Sequence, residues 1–422
     1  MSIQQISHRT SNKVGPLSMQ LKPGQIIQGK IQKIFPNQSA KVQLGSRHMV
    51  AQLEASLTVG SNYYFQVKSA KDVIHLKVLG QSLEQDEQTS LANLMKQLGL
   101  KTNKSNVQFI QSLIQEKIPF DKTQLGNAFV LLNGTDGNSE IQAVLKEMIS
   151  RNIPINNSTF QALYTKQTST ISEQFQDMVQ ILRQDTTDIP NKQQLLERLN
   201  GLLERPSLKG ELSLLTNPKE LFLSHMRSVL QQTGTTYENQ LANNLVQSQS
   251  NTIKSILLQL VQKGGGIVHE RSQKLLHFLN GLQIQSVNET PTFIQASLQL
   301  PGNKIGLRKD IDMEFEGNKT KEGKIDPDFC RILFYLDLAN LKETIVDMHI
   351  QKRTVTITIW NNHPNLIEQA LVFKPELKKG LVELDYQLST INTKHLQEKQ
   401  ESTKHKALKA YQSTYQGVDY RI

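Results

Sequence analysis

The spacing of apolar residues changes twice along this chain, and those changes limit what it can fold into. Between residues 21 and 80, apolar and polar residues alternate in short runs separated by turn residues. From Leu91 to about Gln262 the apolar residues recur at helical spacing, and after residue 292 the alternation returns. A period of two is typical of strands, and a period of 3.6 is typical of amphipathic helices. The chain therefore has to fold as several parts of different class.

These changes predict a multidomain α+β protein, and 422 residues suffice for several domains of ordinary size. We expect a disordered lead over 1–20 and a small antiparallel β-barrel of the OB or SH3-like kind over 21–80. A central all-α helical region should occupy 91–262. An α+β domain with a helix-covered sheet should occupy 270–395, before a mobile tail over 396–422.

Local signals inside the helical region agree with its spacing. Thr170-x-x-Glu173 has the spacing of a capping box, in which two side chains satisfy free N–H groups at a helix start. EKIPFDKTQL at 116–125 and RNIPINNSTF at 151–160 both place Ile-Pro-apolar before a polar capping cluster. We interpret the two stretches as copies of one helix–turn–helix unit.

The stretch 331–360, RILFYLDLANLKETIVDMHIQKRTVTITIW, contains three alternating runs joined by two polar turns. Alternation puts the apolar residues of all three predicted strands on one face, which requires a cover. A helical stripe that follows is the predicted cover: Leu366, Ala370, Leu377, Leu381 and Leu384. A bend or split of that helical segment is expected at Pro375.

The opposite face of the same strands is mixed, since it carries Leu333, Tyr335 and Trp360 beside Asp347 and His349. A purely solvated face rarely carries so many large apolar groups. Two interpretations stay open: neighbouring elements cover this face, or it is a docking surface.

The chain offers little reactive chemistry. Its one cysteine, Cys330, has no partner for an internal disulfide, and its ten histidines are scattered. There is no G-x-x-x-x-G-K-[ST] phosphate loop, no H-E-x-x-H and no G-x-S-x-G. We therefore expect a protein without enzymatic activity, cofactor or metal site.

No apolar run is long enough to span a bilayer, and MSIQQISHRTSNKVGPLSMQ lacks the apolar core of a secretory signal peptide. We expect a cytoplasmic protein that does not insert into membranes. Any export would have to use a route that reads no such signal.

The order of features at the carboxyl end resembles a known family. LFYLDLANLKETIVDMHIQKRTVTITIW, followed by a helix and LKKGLVELDYQLSTINT, resembles the C-terminal domain of flagellar hook-length control proteins. LKPGQIIQGKI, GTTYENQL, IKSILLQL and LLHFLNGLQIQS resemble stretches of the hook-length-control-like proteins of Gram-positive bacteria. The likeness runs through most of residues 21–395. Two positions depart from the family pattern: the turn Leu338–Lys342 has neither proline nor glycine, and Asp385 replaces the usual glycine.

The resemblance implies a non-enzymatic regulator of hook length or of the switch between export substrates. The implied partner of its C-terminal domain is the cytoplasmic domain of the flagellar export-gate switch protein. Hook or export components are further implied partners, and the flagellar type III apparatus is an implied route of export. The implied contacts are Leu338, Asn340, Leu341, Lys342, Pro375, Leu377, Leu381, Asp385 and Tyr386.

Nucleic-acid binding by the predicted barrel is the alternative. The chain carries a formal charge of +10, and no acidic residue precedes Glu54. Phe35, Tyr63, Tyr64 and Phe65 could offer stacking faces to bases. Against this, Tyr63 and Phe65 alternate with predicted core positions, so nucleic acid is the less favoured partner.

Overall fold

The computed structural model describes most residues of the chain. They are 21–36, 38–44, 47–55, 57–69, 74–80, 87–134, 139–187, 191–204, 218–235, 252–263, 265–289 and 292–396. The predicted disordered lead (1–20) and nearly all of the predicted tail (396–422) lie outside them. The described residues divide into two compact units, one ending at Asn156 and one running from Asn157 to Leu396.

The first unit begins with the predicted barrel. Five strands close in the order β1-β2-β3-β5-β4, with β4 pairing back to β1. Their bounds are β1 Ile26–Phe35, β2 Ser39–Leu44, β3 Arg47–Leu53, β4 Asn62–Ser69 and β5 Ile74–Leu79. Alternation along each strand fills the interior, where Ile31, Val42, Phe65 and Leu76 are fully buried. The predicted small antiparallel barrel is confirmed, with one parallel pair between β3 and β5.

Four helices follow in the first unit: α1 Glu87–Leu98, α2 Lys104–Gln115, α3 Lys122–Asn133 and α4 Ser139–Ser150. The barrel is tied to them through Phe120, which forms an antiparallel bridge with Ile26 at the start of β1. The Ile26 N–H donates to the Phe120 carbonyl over 2.6 Å, and the Phe120 ring is buried. The barrel and the first helices therefore share one compact body.

The second unit opens with six helices that lie against a sheet. They are α5 Asn157–Thr168, α6 Ile171–Gln184, α7 Lys192–Leu203, α8 Pro218–Thr233, α9 Ile253–Lys263 and α10 Ile267–Ser286. The capping box at the start of α6 is confirmed, because Thr170 and Glu173 each bond to the other's backbone N–H. The backbones of α5 and α10 approach closely at Gly281, where an added Cβ would lie 2.2 Å from the Ala162 carbonyl oxygen.

The sheet has seven strands in the order β12-β11-β10-β9-β8-β7-β6. The bounds are β6 Val287–Glu289, β7 Phe293–Leu300, β8 Ile311–Lys319, β9 Ile325–Leu338, β10 Lys342–Gln351, β11 Thr354–Trp360 and β12 Gln387–Lys394. Neighbouring strands are antiparallel except β11 and β12, which are parallel. The predicted apolar face is confirmed, because Val346 pairs with both Phe334 and Ile359.

The helices and the sheet share one hydrophobic core. Phe175 of α6, Leu199 of α7 and Phe278 of α10 pack in the same cluster as Ile311 and Met313 of β8. The start of α6 is also tied to the sheet by hydrogen bonds. The Ile171 N–H donates to the Gln299 side chain, and the Ser172 N–H donates to the Asp310 carboxylate, each over 3.0 Å.

This shared core puts the unit boundary elsewhere than the sequence suggests. The predicted helical region, 91–262, is divided at Asn157 between the two units. The predicted α+β domain, 270–395, contains only part of the core of the second unit. Apolar spacing identifies helices but does not say which surface each one covers, so it could not place this boundary.

Two short helices connect β11 to β12: α11 Leu366–Val372 and α12 Lys374–Val382. The predicted split is confirmed, and the break lies at Phe373, with Pro375 in the first turn of α12. The predicted covering stripe holds only in part. Leu366 is buried and Leu381 packs on the sheet, whereas Leu377 and Leu384 are exposed. The helices pack chiefly against the edge strand β12 and therefore cover less of the sheet than expected.

Candidate docking surface and basic barrel face

The residues implied as partner contacts lie at two ends of the sheet. Leu338 pairs with Lys342 where β10 begins, and Thr354, which follows the other end of β10, pairs with Gln387. Asp385 and Tyr386 immediately precede Gln387. A ten-residue strand separates the two groups, which at about 3.4 Å per residue is about 30 Å. One small contact cannot engage both groups together.

The turn at 338–342 is held by Asn361. The Asn361 side-chain amide donates to the carbonyls of Leu341 and Glu343 and to the Thr344 hydroxyl, each over 2.8 Å. Lys342 takes the left-handed conformation with φ 58°. Short hairpin connections often place a left-handed residue just after a type I turn, and glycine is the usual choice there. The structure thus shows how this chain forms the turn without proline or glycine.

At the other end of the sheet, Tyr386 lies against the β10–β11 turn. The Arg353 guanidinium lies 4.9 Å from the Tyr386 ring centre and bonds to the Asp328 carboxylate over 2.5 Å. The Tyr386 hydroxyl donates to the Pro327 carbonyl over 3.3 Å. Lys352 and Arg353 both have positive φ, which strains non-glycine residues. These contacts fix the junction between α12 and β12, where Asp385 also takes the left-handed conformation with φ 61°.

Between these ends, α11 and α12 present large apolar side chains to solvent. Val372 is 74% exposed and Phe373 is 66% exposed. The set, termed here the 371–384 apolar surface, is Leu371, Val372, Phe373, Leu377, Val382 and Leu384. A shallow groove of about 440 Å³ beside it is lined by Pro375, Lys378, Lys379, Val382 and Glu383. Leu377 and Pro375 of the implied contacts belong here, whereas Leu381 packs inward against the sheet.

The prediction missed Val372 and Phe373, the two most exposed members of this surface. The sequence signal was the run Leu371-Val372-Phe373, which extends beyond the covering stripe and directly precedes Lys374-Pro375. Three consecutive apolar residues cannot all face one side of a helix, so one side of this run had to point away from the sheet.

The mixed face of the sheet is rich in carboxylates. Asp312, Glu314 and Glu316 alternate along β8 on this face, and Arg331 forms a two-bonded ion pair with Asp347 nearby. Burial, together with the charge of Glu316, raises the pKa of Glu314 from 4.5 to about 7. Among the described residues, the helices of the second unit pack on the opposite face of the sheet.

The barrel presents a basic face on its first strands. Lys33 of β1 and Lys41 of β2 are directly opposite each other and exposed, and Lys30 is exposed beside Gln43. Like charges in direct cross-strand pairs are destabilising, so an anion would relieve this pair. The proposed stacking faces are not available, because Tyr63, Tyr64 and Phe65 are buried. Only Phe35 remains partly exposed, with the Lys33 ammonium 5.4 Å from its ring centre.

Two other kinds of structure are absent from the described residues. No helix there has the length and apolarity to cross a bilayer. Nor do three or more histidine, cysteine, aspartate or glutamate side chains converge there as metal ligands would.

Comparison with known proteins identifies one domain and one relative. Residues 2–77 match the TP0910 S1-like domain family, which agrees with the closed five-stranded barrel. An uncharacterized protein of Bacillus subtilis (strain 168), YlqG, is 38% identical over 138 residues. The alignment covers 31% of this chain and 23% of YlqG, so the chain matches about a quarter of that protein's length. No solved structure gives a significant match.

Proposed function

We propose that this protein is a non-enzymatic, hook-length-control-like regulator that docks on the cytoplasmic domain of the flagellar export-gate switch protein. The 371–384 apolar surface is the observation that carries the proposal. It belongs to the segment 331–393, whose order of strands and helices resembles the C-terminal domain of hook-length control proteins.

The exposure of the surface supports a protein partner. Large side chains such as Val372 and Phe373 are exposed at adjacent positions, and contiguous exposed apolar groups mark interaction sites. Lys378 and Lys379 border the adjacent groove and provide a polar rim. The protein would act in the cytoplasm at the export gate, with its own export as a further expectation of the resemblance.

The experiment is a binding titration of the full chain with the purified cytoplasmic domain of the export-gate switch protein. The Phe373→Ser variant should weaken binding by at least about tenfold, since truncating a central anchor costs 1–2 kcal/mol or more. Val130→Ser is the control, because Val130 is an apolar residue of comparable exposure, 74% against 66% for Phe373, but lies on α3 in the first unit.

A strain lacking the gene should show altered hook length or arrested export of late substrates. Absence of binding by the wild-type chain, together with unchanged hooks and motility in the deletion strain, would overturn the proposed function.

A second candidate is nucleic-acid binding by the barrel. The opposed Lys33 and Lys41 side chains and the match to an S1-like domain favour it. Labelled single-stranded RNA and DNA oligonucleotides test it directly by fluorescence anisotropy. Phosphate-driven binding should weaken steeply with added salt. Replacing Lys33 and Lys41 by Glu should abolish it, whereas Lys77→Glu on β5 is the control. Lack of binding at low salt would exclude this candidate.

A further inference from the structure

The strand β12 forms one edge of the seven-stranded sheet. It is eight residues long, Gln387–Lys394, and pairs with β11 on its inner side. In the described part of the chain no strand pairs with its outer side. The opposite edge strand, β6, has only three residues. The sheet therefore has one long edge whose outer backbone groups point away from the rest of the described structure.

The hydrogen bonds to β11 show which backbone groups point outward. The Gln387 N–H donates to the Arg353 carbonyl, and the Asn361 N–H donates to the Lys394 carbonyl. In a strand the N–H and C=O of successive residues alternate between the two sides. Counting back from Lys394, Asn392 and Thr390 therefore face β11, whereas Thr393 and Ile391 present their N–H and C=O outward. The register shift between Leu388 and Thr390 then brings Gln387 back to the side of β11.

Apart from a register shift between Leu388 and Thr390 and the lysine at its end, this edge lacks the features that usually prevent pairing. Its sequence, QLSTINTK, has no proline, and its only charge is the terminal lysine. Long unprotected edges are templates for another strand. The helices α11 and α12 pack against β12 and carry the 371–384 apolar surface. The unpaired strand edge and the exposed apolar surface therefore lie in the same part of the unit.

We infer that β12 pairs with β12 of a second copy of this chain in an antiparallel, two-fold symmetric dimer. A two-fold axis perpendicular to the sheet joins the two sheets edge to edge and keeps α11 and α12 of both copies on the same face. An isolated peptide strand would satisfy the edge alone. A second copy also brings a second apolar helix pair to the same face, which is why we assign it as the occupant.

The outward groups fix the register of the dimer. Ile391 pairs with Thr393 of the second copy, and Thr393 pairs with Ile391 of the second copy. These two pairs use the outward backbone groups of all four residues. The axis then passes beside Asn392, which faces Asn392 of the second copy as a non-hydrogen-bonded pair. The Cα atoms of such a pair are about 4.5 Å apart, within the range that a disulfide spans.

This dimer uses the surface proposed above for the export-gate partner, so partner and second copy would compete. Self-association requires only this chain, however, and its test does not involve the partner. A failure of the dimer would leave the docking function standing, and the reverse also holds.

The test is a symmetric crosslink in the full chain. In a Cys330→Ser background, Asn392→Cys should form a disulfide-linked dimer under mild oxidation. Lys394→Cys is the matched control, because its side chain is on the same face of β12 and is also exposed. In the inferred register the two Lys394 positions are four residues apart along the strands, about 14 Å, which is too far for a disulfide.

Light scattering of the unmodified chain gives a second measurement. We expect the mass to rise from 47.8 kDa towards twice that value with concentration. Thr393→Pro should restore the monomer, because it removes an outward N–H without removing a bond to β11. A mass that stays monomeric at all concentrations, or crosslinking at Lys394→Cys but not at Asn392→Cys, would overturn the dimer.

Discussion

Glu314 lies on the carboxylate-rich face of the sheet, between Asp312 and Glu316 on the same strand. The Tyr335 hydroxyl, 3.3 Å away, donates to its carboxylate. Burial dominates over that hydrogen bond, and the pKa of Glu314 is raised to about 7. Near neutral pH this side chain is therefore divided between its neutral and charged forms, and folding stability depends on pH.

We predict that Glu314→Gln removes part of that dependence. The folded protein holds the proton up to about pH 7, whereas the unfolded chain releases it near the ordinary value of 4.5. The stabilisation by protonated Glu314 is present below pH 4.5 and is lost as pH rises to 7, by up to about 3 kcal/mol. Urea unfolding from pH 5 to 8 should show a flatter profile for Glu314→Gln than for the wild type. The exposed Glu376→Gln is the control; equal slopes for all three proteins would contradict the prediction.

At the scale of elements, three of the four helices described in the first unit end in the same way. After α1, α2 and α4, one residue takes the left-handed conformation: Gly99 with φ 67°, Lys117 with φ 56° and Asn152 with φ 55°. In each case the next N–H, that of Leu100, Ile118 or Ile153, donates back to a carbonyl in the last turn. These bonds and the apolar residue after the turn are features of a Schellman-type helix end. The echo between 116–125 and 151–160 thus corresponds to a shared turn geometry, and α1 adds another example.

Lys117 is the least suited of the three residues to this conformation. Lys117→Gly should stabilise the protein by about 0.5–1 kcal/mol, because glycine adopts positive φ without strain. The gain stays small because glycine also raises the conformational entropy of the unfolded chain. Gly99→Ala should destabilise it by a similar amount through the backbone alone, since the added Cβ would meet only the Lys122 Nζ at 3.7 Å. Thermal unfolding measures both. If both substitutions stabilise the protein, or both destabilise it, backbone strain at the left-handed positions is not the cause of the changes in stability.

The sequence predicted these elements better than their surfaces. Periodicity and caps sufficed for the barrel, the helices and the apolar sheet face, because those signals are local. The contacts of Arg353 with Tyr386 and Asp328 join residues that are distant in sequence, so no local pattern predicts them. The prediction missed the exposed Val372 and Phe373 because it placed the helical cover on the apolar face of the three strands in 331–360, whereas α11 and α12 pack chiefly against the edge strand β12.

At the scale of the whole molecule, the second unit is larger than the domain that the resemblance outlines. Residues 157–396 contain both the sheet and the helices that cover its apolar face. A fragment of 270–396 lacks Phe175 and Leu199, which pack in the cluster of Ile311 and Met313.

We therefore predict different behaviour for two fragments. Residues 157–396 should unfold cooperatively. Residues 270–396 should bind a hydrophobic dye and lose near-ultraviolet circular dichroism while keeping secondary structure, as loosely packed states do. Heat denaturation with both optical probes distinguishes them, and cooperative unfolding of the shorter fragment would contradict the shared core.

The bonds that tie α6 to the sheet span 128 and 138 residues of chain. A ribosome adds about 5–20 residues each second, so α6 emerges on the order of ten seconds before Gln299 and Asp310 exist. During that interval, the side chains of α6 that pack on the sheet in the folded protein have no sheet to contact. Until those strands are translated, only other helices of this chain or other proteins can cover that side of α6.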